Sequence, residues 1–122
     1  MNASRVLIVD DDPAIRQIIA TVLRRDGIAV DIAVDGEAAV ALLQRESYGV
    51  IVLDLLMPRV NGLEVIDFMK AHAINTPVIV LSAVTDDHVP DLDPQLVRVA
   101  MQKPLEPREL RRVVEAILER TA

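Results

Sequence analysis

The sequence predicts an α/β protein: a five-stranded parallel sheet with helices covering both faces. Three observations lead there. Five short runs, Val6–Val9, Ala29–Ala33, Val50–Leu53, Val78–Leu81 and Val97–Met101, are rich in Val, Ile and Leu and largely lack polar alternation, the pattern of strands buried on both sides. Stretches with helical spacing of apolar residues separate most of these runs, giving a βα rhythm. Finally, 122 residues with 52% hydrophobic and 26% charged side chains suit a single domain with one core, here spanning residues 1–122.

Each element follows from local chemistry. After the first run, Asp12 is placed to cap a helix that has Pro13 at its first position, Ile15, Ile18, Ile19, Val22 and Leu23 at helical spacing, and Gly27 as its stop. A second helix starts at Asp35 and buries Ala39, Val40 and Leu43; a third follows Asn61-Gly62 and offers Leu63, Ile66 and Met69. The last helix opens at Pro107 and aligns Leu110, Val113, Val114, Ile117 and Leu118, leaving Arg108, Arg111, Arg112, Glu115 and Glu119 outward. Between Ser82 and Val97 the pattern breaks. Pro90 and Pro94, with Thr85, Asp86, Asp87, Asp91 and Asp93, read as loop, so the helix expected between the fourth and fifth strands is short or irregular.

Composition excludes several classes of function. Thirteen Lys and Arg against nineteen Asp and Glu leave a net charge of −6, which repels nucleic acid and anionic lipid. Tyr48 and Phe68 are the only aromatics, too few for a base-stacking platform. With no Cys there are no disulfides, thiolate nucleophiles or Cys-based metal sites, and a reducing cytoplasmic setting is expected. No apolar run approaches the roughly 18 residues needed to cross a bilayer. His72 and His88 lack a second ligand at metal-binding spacing and receive no role.

Ligands of open parallel sheets collect beyond the carboxyl ends of the strands. Four of the five runs end in polar residues there: Asp10-Asp11-Asp12, Asp54, Ser82 and, after Gln102, Lys103-Pro104. If the first, third, fourth and fifth strands are neighbours, these groups share one rim. Taken singly they have ordinary explanations, namely an N-cap, a turn starter, a loop hydroxyl and a solvated charge. Together they describe a cluster of carboxylates that repel one another until a hard divalent cation such as Mg²⁺ neutralises them. With the cation bound, one carboxylate can act as nucleophile toward a phosphoryl group while Lys103 and the Ser82 hydroxyl stabilise the transferred oxygens.

These residues, in the strings Val6-Leu7-Ile8-Val9-Asp10-Asp11-Asp12-Pro13, Val52-Leu53-Asp54-Leu55-Leu56-Met57-Pro58 with Asn61-Gly62, Leu81-Ser82-Ala83 and Lys103-Pro104, are similar to the receiver domain of two-component response regulators over nearly the whole chain. The resemblance implies a doubly wound, flavodoxin-like fold with strand order 2-1-3-4-5. It implies that Asp54 accepts a phosphoryl group from a histidine kinase or phosphotransfer protein. Asp11 becomes a direct Mg²⁺ ligand and Asp10 a water-mediated one, with Asp54 and the Leu56 carbonyl completing the protein ligands. Ser82 becomes the hydroxyl that follows the phosphoryl group, and Lys103 the lysine that pairs with acceptor and phosphate, with a cis bond to Pro104. Ala83 leaves room for the donor, and Leu56 and Val84 flank the phosphoryl group. Ala100 stands where relatives carry the Tyr or Phe that turns inward on activation, and residues 84–96 lack the usual helix-forming run.

The reading is therefore a phosphoacceptor signalling domain, not an enzyme beyond weak self-phosphorylation and self-dephosphorylation, that alters binding to a downstream protein. A stand-alone regulator, monomeric or dimerising on phosphorylation, is expected. Two alternatives use the same residues. Asp10-Asp11-Asp12 also fits the Asp-x-Asp pattern of a haloacid-dehalogenase-type phosphohydrolase with Asp10 as nucleophile, and a receiver-like scaffold would bind partners without being phosphorylated.

Overall fold

A computed structural model describes residues 5–57, 60–82 and 92–121 of the chain. The element order is β1 (Val6–Val9), α1 (Pro13–Arg25), β2 (Val30–Ala33), α2 (Gly36–Arg45), β3 (Val50–Asp54), α3 (Gly62–Ala71), β4 (Val78–Ser82), β5 (Val97–Gln102) and α4 (Pro107–Thr121). All strand pairs are parallel and the sheet order is β2-β1-β3-β4-β5, with β1, β3 and β4 interior. Each expected strand is present within a residue of its predicted bounds. Residues 83–91, including Ala83, Val84, Asp86, Asp87, His88 and Pro90, lie outside the described residues, as does Pro58. Most of the expected short helix falls there. Residues 94–96 form a turn in which Asp93 accepts from the N–H groups of Gln95, Leu96 and Val97.

Successive strand residues point to opposite faces, so the unalternating runs feed an apolar layer on each face of the one sheet, two layers where a single core was expected. On one face Leu7, Val9, Ile51, Leu53, Val78 and Val80 meet Ala39 and Leu43 of α2 and Val65, Ile66 and Met69 of α3. On the other, Val6, Ile8, Val50, Val52, Ile79 and Leu81 meet Ile19, Ala20 and Leu23 of α1 and Leu110, Val114 and Ile117 of α4.

Helix starts follow side-chain caps. Asp12 Oδ1 accepts from the Ala14 N–H, Asp35 Oδ1 from the Ala38 N–H, and Asn61 and Glu64 form a reciprocal capping box at α3. Three details of the apolar stripes differ from expectation. Val40 is only half-buried and Leu42 packs beside Leu43; Val65 is buried while Leu63 is half-buried; and Ile18, though on the α1 stripe, is 49% exposed. An apolar stripe wider than the contact surface leaves one edge in solvent, and sequence spacing does not say which.

Candidate functional site

The sheet order sets four strand ends side by side. Asp10 follows β1 and Asp54 closes β3, and because Val9 is registered with Leu53 the two carboxylates are neighbours. Ser82 closes β4, whose Leu81 pairs with Asp54. Lys103 follows β5, and its backbone N–H donates to the Ser82 carbonyl at 2.9 Å. From there its Nζ reaches 3.3 Å from Asp10 Oδ2 and 3.3 Å from Asp54 Oδ2, bridging both. Asp10, Asp54 and Ser82 are buried, Lys103 is half-buried and Asp11 is exposed at the rim. Leu56, two residues beyond Asp54, also sits at the rim, with 59% of its surface exposed.

Hydrogen bonds set the carboxylates in place. Asp10 Oδ1 accepts from the Asp12 N–H at 2.9 Å, and Asp54 Oδ1 accepts from the Leu56 N–H at 3.2 Å. Burial, and after it the negative charge of Asp10, push the Asp54 carboxyl up to about 6, against the pull of Lys103 and the Leu56 N–H. Burial works against the Lys103 ammonium, but Asp54 and Asp10 outweigh it and hold the group above its ordinary pKa. The site is short of positive charge, as the sequence implied.

One ligand atom from each of Asp10, Asp11 and Asp54 lies within 4.8 Å of the other two. Among the described residues Asp10 Oδ2, fully buried, has no hydrogen-bond partner, and the Lys103 ammonium stands 3.3 Å from it. An all-oxygen set with an orphaned buried oxygen fits a hard divalent cation of the Mg²⁺ type. Beside the acids an apolar groove of about 170 Å³ is lined by Ile15, Ile18, Lys103, Pro104, Leu105 and Pro107. The Lys103–Pro104 bond is cis.

Comparison with known proteins agrees with this geometry. The family model for the response regulator receiver domain matches residues 6–115. The chain belongs to the response regulator receiver family. The receiver domain is 33% identical over 126 residues to a probable transcriptional regulator, ycf27, of Porphyridium aerugineum, covering 98% of this chain and 50% of that protein. It spans about half the length of the curated relatives it matches. Among solved structures, the Francisella response regulator 1452 receiver domain superposes with a TM-score of 0.88 at 34% identity, covering 98% of this chain and 99% of that one. The Thermotoga maritima response regulator TrrA, solved with Mg²⁺ and BeF, superposes at 0.81 with 28% identity, covering 96% and 99%. Family membership decides against the phosphohydrolase alternative.

Asp10, Asp11, Asp54, Leu56, Ser82 and Lys103 all stand at the carboxyl edge of the sheet in this receiver domain, while Ala83 and Val84 lie outside the described residues. Ala100 lies in β5 on its exposed side. Sequence reasoning missed Arg16, whose guanidinium donates to the Asp10 carbonyl at 2.8 Å. Nothing in the sequence separates it from the other arginines of α1. His72 does what an ordinary surface histidine does, stacking on Phe68 and bonding its carbonyl.

Proposed function

We propose that Asp54 is the phosphoacceptor, taking a phosphoryl group from the phosphohistidine of a histidine kinase or phosphotransfer protein, with Mg²⁺ as cofactor. The observation that carries this reading is the Lys103 ammonium held 3.3 Å from both Asp10 and Asp54 above a three-carboxylate cluster. With its pKa about 6, Asp54 is mostly ionised at neutral pH and ready to attack. One of its oxygens forms a bond to phosphorus as the P–N bond breaks; the imidazole nitrogen leaves with the electron pair and takes a proton, and an acyl phosphate results. Asp10, Asp11, Asp54 and the Leu56 carbonyl would hold Mg²⁺, which neutralises charge on the phosphoryl oxygens. Lys103 pairs with the phosphoryl oxygens and the Ser82 hydroxyl donates to one of them.

The groove carrying the exposed Ile18 adjoins Lys103 and offers the protein donor an apolar foothold next to the acceptor. Phosphorylation adds roughly −1.5 to −2 charge and new acceptor oxygens, which changes how the domain binds a downstream protein. The chain works in the cytoplasm, as a monomer or as a dimer formed on phosphorylation, and does not itself contact nucleic acid. Among the described residues no helix is long and apolar enough to cross a membrane.

Intact-mass measurement after incubation with Mg²⁺ and acetyl phosphate tests the reading on wild type, Asp54→Asn and Asp10→Asn. A phosphate adduct abolished by Asp54→Asn supports it. Absence of adduct in wild type, with this donor and with a phosphorylated histidine kinase, favours a scaffold and refutes the phosphoacceptor.

A further inference from the structure

Arg16 is half-buried on the first turns of α1, six residues beyond Asp10, and its Nη1 donates to the Asp10 backbone carbonyl at 2.8 Å. That oxygen belongs to the peptide unit joining Asp10 to Asp11. The unit is planar, so a bond that fixes the direction of its carbonyl also fixes the Asp11 Cα and the course of its side chain. Two more bonds hold the flanks of the turn: the Asp12 N–H to Asp10 Oδ1 at 2.9 Å, and the Ala14 N–H to Asp12 Oδ1 at 2.9 Å. The paired register between β1 and its neighbours ends at Val9, and the last sheet bond is the Asp10 N–H to the Ala33 carbonyl at 3.4 Å; past it, through Asp11 and Asp12, these side chains brace the turn.

We infer that Arg16 is a positioning residue for cation loading: by holding the Asp10–Asp11 peptide it aims Asp11 at Asp10 and Asp54, bringing their ligand atoms within 4.8 Å. This rests on the proposed reading of that cluster as a Mg²⁺ site. Arg16 does not touch the cation; it acts through the turn. Its charge and its hydrogen bond have opposite effects, which makes the inference testable. As a bare positive charge beside an acidic cluster, Arg16 repels a divalent cation, and deleting it tightens binding. As a backbone clamp, deleting it loosens the turn and weakens binding. The clamp dominates, because it fixes the peptide that carries Asp11, whereas the charge is partly exposed to solvent.

Isothermal titration of Mg²⁺ into unphosphorylated wild type, Arg16→Met and Arg16→Lys decides between them, alongside thermal midpoints without Mg²⁺. Methionine is as good a helix former as arginine, so α1 survives the change. The expected result is a loss of Mg²⁺ affinity of about 10- to 100-fold in Arg16→Met, as for other partners that orient metal ligands, with most of it restored by Arg16→Lys, which keeps a charged donor. A purely structural role lowers the thermal midpoint and leaves Mg²⁺ affinity of the folded protein unchanged. Unchanged or tighter Mg²⁺ binding in Arg16→Met overturns the inference while leaving the cation site intact. A Lys variant that binds Mg²⁺ no better than the Met variant also overturns it. Wild type that takes no Mg²⁺ overturns the site itself and this inference with it.

Discussion

Replacing Asp54 with Asn is expected to stabilise the cation-free protein at neutral pH while abolishing phosphorylation. Asn keeps the size of the side chain and an oxygen for the Leu56 N–H, but removes one of three crowded negative charges. In the folded protein the Asp54 carboxyl lies at about 6, above its ordinary 3.8, so the folded state prefers it protonated. The stabilisation from the neutral carboxyl is complete below pH 3.8 and is lost as pH rises through 6. At 1.36 kcal/mol per unit of pKa, the ionised form costs the fold on the order of 3 kcal/mol above that window. For a domain of this size roughly 4 °C accompanies each kcal/mol, so Asp54→Asn should melt about 10 °C higher than wild type at pH 7.5 without divalent cation. At pH 4.5 the same linkage leaves a gain of only about 1 kcal/mol. Mg²⁺ should narrow the difference at pH 7.5, since the cation offsets a cost that only the carboxylate carries. Thermal or urea unfolding of both proteins at the two pH values, with and without Mg²⁺, measures this. A variant less stable than wild type at pH 7.5, or a gain of equal size at both pH values, refutes the reasoning that burial of the Asp54 charge, and after it crowding by Asp10, sets the energy of this site.

Two further outcomes follow from the rim. Ile18→Glu should slow phosphorylation by a histidine kinase at least tenfold while leaving the rate with acetyl phosphate within about twofold, because it alters the exposed edge of the apolar groove and not the acids; comparing the two donors by radiolabel transfer checks it, and equal slowing with both contradicts it. Leu56, exposed two residues beyond Asp54, offers no polar group to orient an attacking water, so Leu56→Asn should shorten the lifetime of the acyl phosphate several-fold in a phosphate-release assay, and an unchanged lifetime removes Leu56 from consideration.

The site was legible in the sequence because its chemistry sits where patterns change. Asp10, Asp54 and Ser82 each end or follow an apolar run, and burial of a polar residue at a strand end is a signal that spacing carries. That the strand ends are neighbours is not carried by spacing; sheet order came from family resemblance, and the register of Val9 with Leu53 makes it a physical fact. What stayed hidden depends on contacts between a side chain and a distant backbone or charge. Arg16 reads like any solvated helical arginine until its carbonyl partner is seen. At the opposite end of the sheet, the Tyr48 hydroxyl donates to Asp31 Oδ2 at 2.8 Å and Arg5 Nη1 to Asp31 Oδ1 at 3.0 Å. Burial and then the hydrogen bond to Asp31 raise the Tyr48 pKa, so the hydroxyl stays protonated and serves as a structural tie. Tyr48, unremarkable in sequence, anchors the start of β3 because Asp31 is the one polar residue inside β2.

The energetic account and the proposed chemistry have one source. Three carboxylates, two of them buried and Asp11 exposed at the rim, against one bridging ammonium leave two formal negative charges, an excess that one divalent cation cancels. If the cluster takes Mg²⁺ as proposed, a fold that eased it without the cation, by giving Asp10 Oδ2 a hydrogen bond or lowering Asp54, would stabilise the resting domain and weaken cation binding by the same amount. On the proposed reading, the instability of this acid cluster would be the reservoir from which cation binding draws, with Lys103 its counterpart on the phosphoryl side. Because the Lys103 N–H bonds the Ser82 carbonyl, the two groups that would follow a phosphoryl group are tied through one backbone bond between β4 and β5.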